Sequence, residues 1–173
     1  MVAATTTSRL PDARFLVSHP AHFIALGFGC GLAPAAPGTI GTLAAIPIYW
    51  GLAIFLPPLA IAILAVPLFF LGVWACEVTG RDLGVPDHGA MVWDEIVAFL
   101  PLAALSSASF FLQALMFLLF RLFDIWKPFP IRELERNLKG GAGVMADDLV
   151  AACYAYVVFL IVIVIAHKGF GLA

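Results

Sequence analysis

Three stretches of this chain stay apolar for the length of a membrane crossing, and that restricts its fold more than any other feature. Thr39 to Leu56 and Leu149 to Ala166 carry no charged side chain, and Leu59 to Val78 carries a single one, Glu77. About 18 such residues wound into a helix reach across hydrocarbon. Of the 173 residues, 63% are hydrophobic and only 12% are charged. Backbone placed in lipid must satisfy its own hydrogen bonds, so the chain is expected to be all-α: a small polytopic membrane bundle of hairpins with a polar site at its cytoplasmic face, one domain over 1–173.

Charges and helix breakers set the order of the segments. Residues 1–20 lack the apolar core of a cleaved signal and read as a loose cytoplasmic arm. His22 to Gly31 fits a short interfacial helix. The glycine-rich run GFGCGLAPAAPGTIGT, which starts at Gly27, has backbone N–H groups that can face a phosphate, and Thr39 adds a hydroxyl where the next helix starts. It is neither a P-loop nor a dinucleotide fingerprint, and close backbone packing is the preferred reading. Segments 39–56 and 59–78, joined by Pro57-Pro58, form a hairpin whose polar ends meet on one side. Glu77 and Arg81, four apart, are expected to pair at its exit.

An unbroken helix from Asp94 to Asp124 would measure about 45 Å, more than a ~30 Å hydrocarbon core accepts, and would send its terminal acids to opposite faces. Pro101 and Ser106-Ser107-Ala108-Ser109 break it into a hairpin of 95–105 and 110–123, which returns Asp124 to the face of Asp94. A last span, 149–166, leaves His167 and Lys168 beyond it. Arg9, Arg14, Arg81, Arg121, Lys127, Arg132, Arg136 and Lys139 then share one face, which the positive-inside rule assigns to the cytoplasm.

This folding gathers Asp94, Glu95, Asp124, Asp147 and Asp148 around the charged island that runs from Arg121 to Asp148. Neighbouring carboxylates repel unless protons or a cation intervene, and a hard cation such as Mg²⁺ takes oxygen ligands and substrate phosphate. Each adjacent pair has a second reading. Side chains next to each other on a helix diverge by about 100°, and acids at a helix start cap free N–H groups. Asp124 resists that reading, because it sits at a C-terminal helix end where the dipole disfavours an anion. Arg121 lies three residues before it, and Lys127 is turned out by Pro128. Both suit a phosphate, and both equally suit snorkelling to the interface. Arg132 and Arg136, on a short amphipathic helix, either attract anionic headgroups or set orientation. His88 reads as a solvated loop residue.

A formal charge of -2 without a basic patch gives no grip on nucleic acid. Cys30, Cys76 and Cys153 form no CxxC and are expected to pack. None begins a Cys-x5-Arg loop, and neither an Asp-x-Asp-x-Thr nor a Ser-Gly-His phosphatase motif occurs.

The segments GFGCGLAPAAPGTIGT, DHGAMVWDE, FRLFDIWKPFPI and GGAGVMADD, in this order, closely resemble the phosphatidylglycerophosphatase A family of bacterial membrane lipid phosphatases. The likeness extends from about residue 19 to 155. It implies Mg²⁺-dependent hydrolysis of phosphatidylglycerophosphate to phosphatidylglycerol and phosphate at the inner membrane. It carries over to Thr39 and Arg121 and Lys127 for substrate, to Asp94, Glu95, Asp124, Asp147 and Asp148 for metal, and to Asp94, Glu95, Arg121, Asp124, Lys127 and Asp148 for catalysis. Phe129 stands where the family commonly has tryptophan, and Ala98 where it has glycine; neither change removes a charge. Whether a carboxylate acts as general base or attacks phosphorus is open at this point, as are two other classes of function, an ion or lipid transporter and a non-catalytic scaffold.

Overall fold

The computed structural model describes residues 10–106 and 109–170. The first nine residues of the expected arm, Arg9 among them, lie outside that range, as do residues 107 and 108 of the expected break. Among the described residues every regular element is helical: α1 (Ala13–Ser18), α2 (Pro20–Ala25), a 3-10 turn (Gly27–Leu32), α3 (Pro37–Ala53), α4 (Pro58–Leu83), α5 (Trp93–Leu105), α6 (Phe110–Trp126), α7 (Ile131–Asn137) and α8 (Gly140–Phe170).

The described part of the arm is ordered by caps. Asp12 Oδ1 accepts from Phe15 N at 2.8 Å to start α1, and His19 Nδ1 accepts from Ala21 N at 3.0 Å to start α2. His22 is buried, stacks on Phe15, and sets its Nε2 3.0 Å from Asp82 Oδ2 near the end of α4. Residues 10–20 of the arm are therefore pinned to the bundle rather than loose. In the glycine run, Phe28 and Gly29 take φ of 59° and 108°, and the N–H groups of Gly29 and Gly31 both bond Leu26 O, at 3.1 and 3.0 Å. A Cβ on Gly31 would strike Ala90 O. These amides are spent inside the turn, as the packing reading anticipated.

Two described helices, α4 and α8, are long and apolar enough to cross a membrane. α3 and α6 have 17 residues each and α5 has 13. At ~1.5 Å per residue these are about 25 and 20 Å long, shorter than a ~30 Å core. Large apolar side chains cover the outside of the bundle: Phe55, Phe70, Phe110, Phe111, Ile125 and Ile165 are each at least 65% exposed. Water does not tolerate an apolar belt of that extent and hydrocarbon does, so the chain associates with a membrane.

The corner between α5 and α6 falls where expected although Pro101 does not break the helix, and the start of α8 departs from expectation. α5 continues through Pro101 and ends at Ser106, whose hydroxyl donates to Ala103 O at 3.0 Å, while Ser109 Oγ accepts from Leu112 N at 3.5 Å to start α6. The serines make the corner, and the proline is absorbed. α8 begins at Gly140, well before Leu149, so that GGAGVMADD is helix and not loop. Gly140 has φ +70°, and a Cβ there would strike the Glu77 carboxylate; Glu77 Oε2 accepts from Gly141 N at 2.7 Å. Glu77 thus caps α8 instead of pairing with Arg81. A helix N-terminus offers it free donors and the positive end of a dipole, a better partner than an exposed guanidinium. Arg81 turns to Asp82, 3.4 Å away.

Small residues bring the helices close. A Cβ on Gly41 would meet Val92, one on Gly72 would meet Trp93 and Met145, and one on Gly141 would meet Val73 O. The buried Gln113 joins three helices, accepting from Trp50 Nε1 at 3.1 Å and donating to Ala103 O at 3.4 Å.

Candidate active site

The start of α5 is fixed from two sides. Val92 N donates to Ala25 O at 2.8 Å, and Trp93 Nε1 donates to Leu68 O at 3.2 Å. Asp94 and Glu95 follow at once, in the first turn. α6 returns antiparallel and brings Arg121 and Asp124 to the same end, and the interior of α8 supplies Asp147 and Asp148.

Asp94, Glu95 and Asp148 each present one carboxylate oxygen, all within 4.8 Å of one another. Asp94 is 9% exposed and Asp148 2%. Asp94 Oδ1, Glu95 Oε2 and Asp148 Oδ2 are buried without a hydrogen-bond partner. Arg121 supplies the counter-charge: its Nη1 lies 2.6 Å from Asp124 Oδ2, 3.6 Å from Glu95 Oε1 and 3.4 Å from Thr42 Oγ1. Thr42 in turn donates to Gly38 O at 2.9 Å. Arg121 Nε is also buried and without a partner. Two carboxylates, Asp124 and Glu95, thus meet the guanidinium, and two more, Asp94 and Asp148, lie beside Glu95. Two unit charges 4.8 Å apart repel by roughly 3 kcal/mol at an effective dielectric of about 20, too much to leave standing several times over. An all-oxygen donor set with unsatisfied buried atoms fits a hard divalent cation.

The remaining predicted residues lie beside this cluster. Asp147 diverges from Asp148 and holds Lys127, with Oδ2 2.6 Å from Nζ; Glu135 Oε2 lies 3.4 Å from the same nitrogen. Lys127 takes a left-handed conformation (φ 45°, ψ 64°) that ends α6 and turns the side chain towards α8. Burial works against its charge, but the Asp147 hydrogen bond and the charges of Asp147 and Glu135 outweigh that and hold its pKa well above the usual lysine value. Thr39 is half-buried in the first turn of α3, next to Gly38. His88 Nδ1 accepts from Ala90 N at 3.1 Å, a turn contact. Arg132 donates to Trp126 O at 3.2 Å and closes the end of α6.

Asp94 and Glu95 do lie in the first turn of α5, where the helix dipole favours acids, whereas Asp147 and Asp148 lie inside α8, whose first turn contains no acid. Three contributors escaped the sequence reading: Gly38 and Thr42, which place Arg121 and Glu95, and Glu77, which sets the start of α8. The spacing Gly38, Gly41, Thr42, Ala45 along one face of α3 is the signal that could have found the first two, since small residues at that period mark a close helix contact.

A family model described as phosphatidylglycerophosphatase A matches residues 23–163. A protein of Escherichia coli (strain K12) named phosphatidylglycerophosphatase A is 45% identical over 139 residues, 80% of either chain. One of Haemophilus influenzae with the same name is 43% identical over 153 residues, 88% of this chain and 94% of that one. A Bacteroides thetaiotaomicron protein with the proposed name phosphatidylinositol-3-phosphatase is 39% identical over 145 residues, 80% of this chain and 90% of that one. No solved structure matches.

Proposed function

Since the chain belongs to the phosphatidylglycerophosphatase A family and is a phosphatase, we propose that it hydrolyses the phosphomonoester of phosphatidylglycerophosphate, using Mg²⁺, at the cytoplasmic face of a bacterial inner membrane. The observation that carries this reading is the meeting of three buried, unpartnered carboxylate oxygens with a buried, unpartnered guanidinium N–H.

Asp94, Glu95 and Asp148 would hold the cation, with Asp124 beside them. Bound there, Mg²⁺ would supply positive charge to the phosphoryl oxygens and polarise them. Arg121 Nε is the free donor that a phosphoryl oxygen would satisfy. Glu95, Asp124 and Thr42 engage Nη1 of the same side chain, so the fork is oriented before substrate arrives, which is how positioned donors lower a phosphoryl-transfer barrier. The Lys127 and Asp147 pair ties the end of α6 to α8. Buried surroundings limit water at the cluster and strengthen each of these interactions. On this reading the substrate stays anchored at the membrane while its headgroup phosphate reaches the site.

The test is phosphate release by purified protein from vesicles that contain phosphatidylglycerophosphate. Release with Mg²⁺ that stops on chelation, and that exceeds release from phosphatidylinositol 3-phosphate, is expected. A folded protein that releases no phosphate, or that works equally well in chelator, contradicts the proposal.

A further inference from the structure

A groove of about 280 Å³ lies between α4, α5 and α8 and ends at Asp94, its sole polar lining residue. Ala62 and Ala65 on α4 and Ala98 and Pro101 on α5 leave the space, and Phe69 and Leu149 wall it. From Asp94 to Pro101 it follows about two turns of α5, roughly 10 Å at 1.5 Å per residue, away from the carboxylate cluster and along the direction in which α4 spans. Its outer wall, Val66 and Phe70, is 59% and 67% exposed on the lipid-facing surface.

We propose that this groove seats one acyl chain of the phosphate-bearing lipid substrate and so selects substrates by their tails; the inference rests on the phosphatase reading above. The chemistry changes along the groove as it does along such a lipid. The walls are hydrocarbon, and the closed end is a carboxylate whose Oδ1 is buried and unpartnered within the cluster that would take the cation and the phosphate. The volume is below the ~300–1,000 Å³ of pockets that enclose a whole ligand, so it takes the headgroup-proximal part of one chain and leaves the rest of that chain and the second chain in the bilayer. A bulk phospholipid gains only the contacts of its tail here. A lipid with a terminal phosphomonoester gains those and the cluster together, which makes the substrate the preferred occupant.

The experiment compares full-length wild type with Ala65→Phe and Ala62→Phe, each of which fills the groove with a ring. Each is assayed with Mg²⁺ on dipalmitoyl and dihexanoyl phosphatidylglycerophosphate in mixed micelles. The ratio of kcat/KM for the long-chain over the short-chain substrate is expected to fall at least tenfold, through KM. A ratio equal to that of wild type overturns the proposal. In parallel, wild type is photolabelled with phosphatidylglycerophosphate that carries a diazirine in one acyl chain. Labels on Phe69, Val97 or Leu149 that unlabelled substrate displaces, but phosphatidylcholine of the same chains does not, support the groove and decide the matter should the variants fail to fold. Labels elsewhere, or labels displaced equally by phosphatidylcholine, overturn it. If wild type hydrolyses neither substrate, the phosphatase reading fails, and the labelling alone judges the groove.

Discussion

Gly38 lies directly against Glu95: a Cβ on this first-turn glycine of α3 would strike Glu95 Oε1 and come within 3.4 Å of Arg121 Nη1. A backbone position in one helix thus sets where a carboxylate of another can stand. Gly38→Ala is expected to reduce phosphate release at least tenfold, with helicity by circular dichroism unchanged. Full activity in that variant would show that the contact does not position the site.

Arg121 combines a satisfied Nη1 with an unsatisfied Nε. Arg121→Lys keeps the charge and loses the fork: the three donors of a lysine sit on one nitrogen, so an ammonium held at Asp124 leaves no donor at the Nε position. Removal of one such donor costs about 10²–10³ in kcat. The expected result is a loss of that size in Arg121→Lys, read from the initial rate of phosphate release. A Lys variant near wild type would argue for simple charge compensation.

The ion pair of Lys127 and Asp147 closes at 2.6 Å with the acid buried. Lys127→Met strands that carboxylate and is expected to cost roughly 2–4 kcal/mol, at or below the range for broken buried pairs because the lysine is partly exposed. Lys127→Met combined with Asp147→Leu should recover much of it. The lysine pKa is raised in the folded state, so its contribution is complete below the ordinary value of about 10.4 and is lost only as pH climbs through the raised one. Thermal melts in detergent should therefore lose none of this term between about pH 7 and 9. A single variant as stable as wild type would show the pair to be incidental.

Glu77 caps α8 from the side of α4. Glu77→Ala leaves the Gly141 N–H without its acceptor and is expected to cost about 1–3 kcal/mol, whereas Glu77→Gln keeps an acceptor and should cost about 1 kcal/mol or less. Denaturation midpoints of the two variants separate the outcomes. Equal loss in both would assign the effect to charge alone.

The helical class and the lipid-facing character were legible because hydrophobicity is a property of segments: Leu59 to Val78 and Leu149 to Ala166, within α4 and α8, announce themselves without knowledge of any contact. Thr39 to Leu56, by contrast, became the 17-residue α3 and is not one of the two helices long enough to cross. The doubling back after Leu105 was legible too, since Ser106 and Ser109 bring their own hydrogen-bonding groups. The last span was placed too late: Gly140, Gly141 and Gly143 precede the expected start at Leu149 and yet lie inside α8. In the fold Gly140 and Gly141 give α4 and α8 the clearance to meet while Gly143 sits against Leu138 O, and these contacts override the low helix propensity of glycine. Arg81 misled for a similar reason: spacing paired it with Glu77, while a distant helix end offered Glu77 more. Asp94, Asp124 and Asp148 could be collected on one side from topology, yet the divergence of Asp147 towards Lys127 depends on the rotation of α8, which no local pattern records.

The central claim is that Asp94, Glu95 and Asp148 form a cation site, and electron paramagnetic resonance of Mn²⁺ with the purified protein tests it most directly. Bound Mn²⁺ is predicted in wild type, displaced by Mg²⁺ and weakened at least tenfold in Asp94→Asn and in Asp148→Asn, with the folds intact by circular dichroism. Binding that is absent in wild type, or unchanged in both variants, would contradict the account.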